Sequence, residues 1–230
     1  MVTCDIIEWI RNGETHKKIL IALFVMISIV GCQDNKPKES TQQKDIVDLV
    51  QKQKSDSIAK ANEALREENK KRLGVLKKNF KFKQDEFNNV GWYTHKYQTV
   101  ENIWNRKCLK TRVSSTGYIY FESHYYADDW LFHTRIEVKI GDKIFKSEDV
   151  PTYSDDNRTE NSGGSIWENV SYTGDNDNGI IKAIAESGDT PVKVRFIGKY
   201  YYDDFTLSSK DKQAIKDSYE LSQLIKLWDL

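Results

Sequence analysis

Beyond Phe80 the chain falls into short runs in which apolar and polar side chains alternate, and that period most restricts its fold. Ile136, Val138 and Ile140 alternate with Glu137 and Lys139, and Val192, Val194 and Phe196 with Lys193 and Arg195. A period of two puts every second side chain on one face, which makes a half-buried strand and excludes an amphipathic helix. Six segments read this way: "GWYTHKYQTV", "GYIYFESHYY", "DWLFHTRIEVKI", "DKIFKS", "GSIWENVSYT" and "PVKVRFIGKYYY". They are rich in β-branched and aromatic residues and are separated by Gly, Asn and Asp. Gly141-Asp142 has the chemistry of a two-residue hairpin turn into Lys143–Lys146.

Two helices break this pattern. Ile180, Ile181, Ile184 and Ala185 share one helical face, and Gly188 ends it. Ser208 with Asp211 three residues later has the form of a capping box, and Ala214, Leu221, Leu224, Ile225 and Trp228 form the apolar face behind it. The expected class is α+β: residues 84–230 as one β-rich domain, an antiparallel sheet or sandwich with the C-terminal helix packed on it. About 150 residues is an ordinary size for a single core.

The N-terminal part is of another kind. Lys17 and Lys18 precede an uncharged apolar run, Ile19 to Val30. Twelve helical residues rise only about 18 Å, short of the ~30 Å needed to span a bilayer, so the run reads as a secretory signal helix. It ends in Ile29-Val30-Gly31-Cys32, which resembles the lipobox of bacterial lipoproteins. The resemblance implies cleavage between Gly31 and Cys32, acylation of Cys32 (with palmitate or a similar chain), and a lipid bilayer as the first partner. It also implies localisation in the bacterial cell envelope, at the outer membrane in a Gram-negative cell. Met1 to His16, with Glu8 and Glu14, is long for such a leader, and a true start further along the chain is the simplest reading. The segment expectation is 1–31 signal peptide, 32–43 flexible tether and 44–83 helical stalk.

The tether, "QDNKPKESTQQ", carries no large apolar side chain. In the stalk, Ile46, Leu49, Val50, Ile58, Leu65, Leu73 and Leu76 make a thin, irregular stripe suited to a long surface helix or weak coiled coil. The stalk holds twelve basic and six acidic residues, against six net negative charges over 84–230. A solvated basic face is the plain reading, and anionic head groups or glycan are the candidate partners. Five of the six Trp lie beyond Phe80, as do the tyrosines.

In the domain, "DDWLF", "IGDKIF", "WENV" and "VRFIGKYYYDDFTLSSKDKQAI" occur in order between Phe87 and Leu227. This series resembles a poorly characterised domain of bacterial lipoproteins and phage-linked proteins, with Arg195, Gly198 and Tyr200 its most distinctive positions. The resemblance implies a β-rich fold with a terminal helix and no particular activity.

The chemistry-bearing residues form no motif. Asp175, Asp177 and Glu186 sit at positions one, three and twelve of a calcium loop, but Gly179 falls at five where six is required, and a turn leading into a helix explains the same residues. Asp128-Asp129 and Asp203-Asp204 adjoin aromatics, yet neighbours on a strand point to opposite faces, so neither doublet is by itself a glycosidase pair. His95, His124 and His133 lack zinc-ligand spacing. Cys108, the one mature thiol besides Cys32, reads as a buried structural residue. No catalytic residue, metal site or cofactor is expected, and an acidic exported domain disfavours nucleic acid as a partner. The resulting expectation is a membrane-anchored envelope lipoprotein with a non-catalytic domain that binds an envelope protein or glycan. The alternative is an envelope hydrolase acting on glycan or peptide, with Asp129 or Asp204 in its cleft.

Overall fold

The structure, a computed structural model, describes residues 41–227. The chain divides into two units, Met1–Ser57 and Ile58–Leu230. The segments expected as a signal peptide (1–31) and, for the most part, as a tether (32–43), with Gly31 and Cys32, lie outside the described residues, as does Trp228.

Helix α1 (Thr41–Lys77) carries the thin apolar stripe, with Leu49, Val50, Ile58 and Leu65 exposed. It ends at Lys77. Phe80–Lys83, expected as the end of the helical segment, belongs to a strand, β1 (Phe80–Asp85), so the expected boundary at residues 83/84 falls inside it. Within the second unit, the last turns of α1 are not a free surface. Leu76 is buried in a cluster with Val113, Leu221, Leu224 and Ile225, with Leu73 and Phe80 packed against it, and Arg72 forms a two-pronged pair with Glu220.

Ten strands and four α-helices are described. Strand β2 (Val90–His95) is followed by a 3-10 turn (Lys96–Gln98) and the short helix α2 (Val100–Ile103). Then come β3 (Cys108–Ser114), β4 (Ile119–Ala127), β5 (Arg135–Ile140), β6 (Lys143–Lys146), β7 (Asn157–Ser162) and β8 (Ser165–Ser171). Helix α3 (Ile180–Ala185), β9 (Val192–Ile197), β10 (Tyr202–Thr206) and helix α4 (Ser209–Lys226) complete the chain. One sheet runs β1-β2-β3-β4-β8-β7 and the other β10-β9-β5-β6. All pairings are antiparallel. The α+β class with a C-terminal helix therefore holds.

The alternating residues form the main core. Ile136 pairs Phe196, Val138 pairs Val194 and Ile140 pairs Val192; all but the partly buried Ile140 are buried with Leu109, Phe121, Tyr125 and Val170 of the larger sheet. The expected hairpin joins β5 to β6, with Gly141 at φ 58°. Ile180, Ile181 and Ile184 of α3 close one end of this core.

Helix α4 begins as a capping box. Ser208 Oγ accepts from the Asp211 amide at 3.1 Å and donates to the Asp211 carboxylate at 2.7 Å. Its buried face packs on β3 and α3. The polar residues of that face are matched: Thr111 Oγ1 donates to Ser218 Oγ at 2.8 Å and Ser222 Oγ to the Gly117 carbonyl at 2.5 Å. Gln98 works as a substitute strand for β3, donating to the Leu109 carbonyl and accepting from the Thr111 amide, both at 2.9 Å. Unpaired, those backbone groups would each cost about 1–3 kcal/mol.

Candidate functional site

Two strands, β4 and β8, supply most of the reactive side chains, and alternation sends those side chains to opposite faces. Ser123 and Glu168 point into the core; Glu122, His124, Trp167 and Asn169 point out.

On the inner face, His133 Nδ1 donates to Glu168 Oε2 at 2.9 Å. That fixes Nε2 as the acceptor for the Ser123 hydroxyl, 2.8 Å away, and Ser123 in turn accepts from Tyr172 Oη at 3.1 Å. Serine, histidine and carboxylate are thus joined in the order of a hydrolase relay. Ser123, His133 and Glu168 are each 0% exposed. Burial lowers the His133 pKa against the raising effect of Glu168, so the imidazole is neutral. For Glu168, burial opposes ionisation, but the His133 ring and the backbone amides of His133 and Phe132 outweigh it and hold the carboxyl below its usual range.

This carboxylate also shapes the chain. It accepts from three consecutive amides, Leu131 and Phe132 at 2.8 Å and His133 at 2.9 Å. Wrapping one carboxylate with three amides bends the loop, and Phe132 takes φ 53°, a left-handed value strained for an aromatic residue. Phe132 stacks on Trp130 with ring centres 5.1 Å apart. Gly198 is the neighbour that makes room: a Cβ there would lie 2.1 Å from the Leu131 carbonyl oxygen.

A second buried histidine is also held structurally. His95 Nδ1 accepts from the Tyr97 amide at 3.2 Å, and Nε2 donates to Asp217 at 3.2 Å. Asn79 and Gln213 donate to the same carboxylate at 2.9 and 2.6 Å. Burial works against ionisation of Asp217, and these donors together hold its pKa below the usual value.

On the outer face, beside helix α2, lies a groove of about 200 Å³. The Trp104 carbonyl accepts from Trp167 Nε1 at 2.7 Å and from His124 Nε2 at 3.3 Å, while His124 Nδ1 meets Asn169 Oδ1 at 2.6 Å. Trp104 and Trp167 have ring centres 5.3 Å apart, and Trp104 remains 47% exposed. Lys110 pairs with Glu122, which also accepts from Tyr120 Oη at 2.9 Å. Arg158 and Glu160 stand exposed on β7 at the rim.

The sequence-selected residues are dispersed. Asp203 pairs with Lys107 at 2.5 Å, whereas Asp204 faces the other way and grips Arg195 with two 2.7 Å bonds. Asp129 caps the Trp130 amide, and its carbonyl accepts from Tyr125 Oη at 3.4 Å. Asp177 accepts from the Ile181 amide at 3.0 Å, with Gly179 at φ 82° starting α3. No group of His, Cys, Asp and Glu suited to a metal ion occurs among the described residues. Cys108 is fully buried, and burial, reinforced by the Asp211 charge, pushes its thiol up to about 12, far from the thiolate that nucleophilic chemistry requires. Of the distinctive trio, Gly198 has the steric role above, Arg195 binds Asp204 and lies over the Tyr202 ring at 3.9 Å, and Tyr200 is exposed.

Neither the relay nor the groove follows from a local motif. The visible trace of both is the alternation in "YFESHYY" and "SIWENVS", where polar residues appear on both phases of the strand. No protein-family model matches the chain, and neither curated proteins nor solved structures give a match to it.

Proposed function

We propose that this chain is a membrane-anchored lipoprotein of the bacterial envelope whose domain is a non-catalytic binding module. One observation carries the reading of the domain. Its aligned acid–base residues are sealed in the core, while a groove on its outer face is built from tryptophan and balanced charges. A reaction needs substrate at the reacting atoms, whereas recognition needs exposed, pre-positioned side chains. The lipobox-like Ile29-Val30-Gly31-Cys32 supports the anchor, and the basic helix serves as a stalk. The test of the anchor is mass spectrometry of the mature protein from its own membranes. An acylated Cys32 at the N-terminus is expected, and Cys32→Ser should leave full-length precursor. A soluble chain with an unmodified N-terminus elsewhere sinks the anchor.

A second reading, an envelope hydrolase acting on glycan or peptide, is favoured by the serine–histidine–carboxylate order around Ser123. It requires an opening that brings solvent to a fully buried hydroxyl. Turnover of peptidoglycan or common polysaccharides that disappears in Ser123→Ala, with the fold kept, would establish it over the binding reading.

A further inference from the structure

We infer that the groove beside Trp104 is a saccharide-binding site for an uncharged glycan strand. The inference rests on the binding-module reading and adds its ligand class. A sugar ring presents an apolar C–H face and a rim of hydroxyls, and both have counterparts here. The Trp104 ring is half-exposed, against Trp167, and offers a flat apolar surface. Around it stand Lys110, Glu122, Arg158 and Glu160, two donors and two acceptors whose charges cancel.

That cancellation decides the occupant. A nucleic acid or another polyanion needs an excess of basic side chains. An amphipathic helix needs a continuous apolar groove with pockets for successive anchors. Neither fits a short surface of Trp104, Trp167 and Val100 bordered by charges of both signs, whereas hydroxyl groups donate to carboxylates and accept from Lys and Arg equally well.

The groove is also held ready for a ligand. Two donors converge on the Trp104 carbonyl, and Glu122 is fixed by Tyr120 and Lys110. Arg158 is held through Nε to the Asp155 carbonyl at 3.1 Å, and its terminal nitrogens have no hydrogen-bond partner among the described residues. Side chains immobilised before binding lose little freedom on contact, which offsets the weakness of hydroxyl recognition in water.

The test uses the full acylated chain in detergent micelles, titrated with oligomers of glucose and of N-acetylglucosamine and followed by tryptophan fluorescence and calorimetry. Saturable binding is expected, weakened at least about tenfold by Trp104→Ala and less by Arg158→Ala. Both positions are exposed, so circular dichroism should stay as in wild type and melting should fall by no more than about 2–4 °C. Tyr201→Ala, on the exposed β9–β10 turn, should bind as wild type does. The proposal is overturned if no oligomer binds, if binding survives both groove changes, or if Tyr201→Ala abolishes it equally. Trp104-dependent capture of a peptide in place of these oligomers overturns it too, while the binding-module reading stands. Cleavage of the oligomers overturns that reading itself.

Discussion

The inner and outer faces of β4 and β8, the inner one completed by His133 from the β4–β5 loop, hold similar polar side chains and put them to opposite uses. Inside, Ser123, His133 and Glu168 are locked to one another and to three backbone amides, with no solvent contact. Outside, one residue along each strand, Glu122, His124 and Trp167 frame an open groove. Residue type and spacing alone would favour the inner set as the working site. Access reverses that order: the inner carboxylate shapes a loop, and the outer side chains are the ones a ligand can reach. A relay of hydrogen bonds is evidence of function only where a substrate atom can stand beside it.

Removing the inner carboxylate should have the largest effect. Glu168→Ala leaves three amides and an imidazole N–H unpaired in the core, and we expect a loss of about 3–5 kcal/mol in urea unfolding. A loss under about 1 kcal/mol would mean that water enters this region freely and that the two faces differ less than the structure indicates. Gly198→Ala comes next. A Cβ placed 2.1 Å from the Leu131 carbonyl forces the loop to move, at about 1–3 kcal/mol, and the Trp130–Phe132 stack should shift with it.

Acid provides a graded probe of the inner face. The folded-state pKa of His133 lies below its unfolded value, so below about pH 6.5 the unfolded chain takes up a proton first and stability falls. The slope from this one group is at most ~1.4 kcal/mol per pH unit. Glu168 and Asp217, with folded pKa values below their unfolded ones, hold their contribution above about pH 4 and lose it as pH drops through the folded values. Urea midpoints followed from pH 8 to below pH 4 should therefore fall in two stages, the His133 stage above about pH 4 and the carboxylate stage below it, and His133→Gln should lack the first. The outer face should give the smallest change in stability. Trp104→Ala removes one half-exposed ring from a tilted pair, worth about 1 kcal/mol, while its effect on ligand binding should be large.

Much of the fold was legible because it is encoded locally. The β5 and β9 alternation, the Gly141-Asp142 turn, the isoleucine face of α3 and the Ser208–Asp211 cap all appear as read. The missed strands have physical reasons. Strands β1, β7 and β10 are sheet edges paired on one side only, so "NRTENS" and "YDDFT" carry charged and polar residues where a buried strand would alternate, and the alternation of Phe80 and Phe82 with Lys81 and Lys83 in β1 is short and follows directly on the lysine-rich helix. Strand β3 hides its pattern differently. Its inward Thr111 is buried against Ser218, 107 residues later, and Gln98, 13 residues earlier. The groove was illegible for the same reason, since it is assembled from α2, β3, β4, β7 and β8. The steric demand at Gly198 comes from a carbonyl in a loop 67 residues earlier, which no local rule conveys.

The most direct measurement is covalent. Incubating the full chain with a fluorophosphonate, which modifies activated serine hydroxyls, and mapping adducts by mass spectrometry asks whether Ser123 can be reached. We expect Ser123 to remain unmodified in the folded protein, as befits a hydroxyl that is 0% exposed and donates inward to His133. Stoichiometric adduct at Ser123 in the native state, lost in His133→Gln, would contradict the sealed relay and make the inner face the working site.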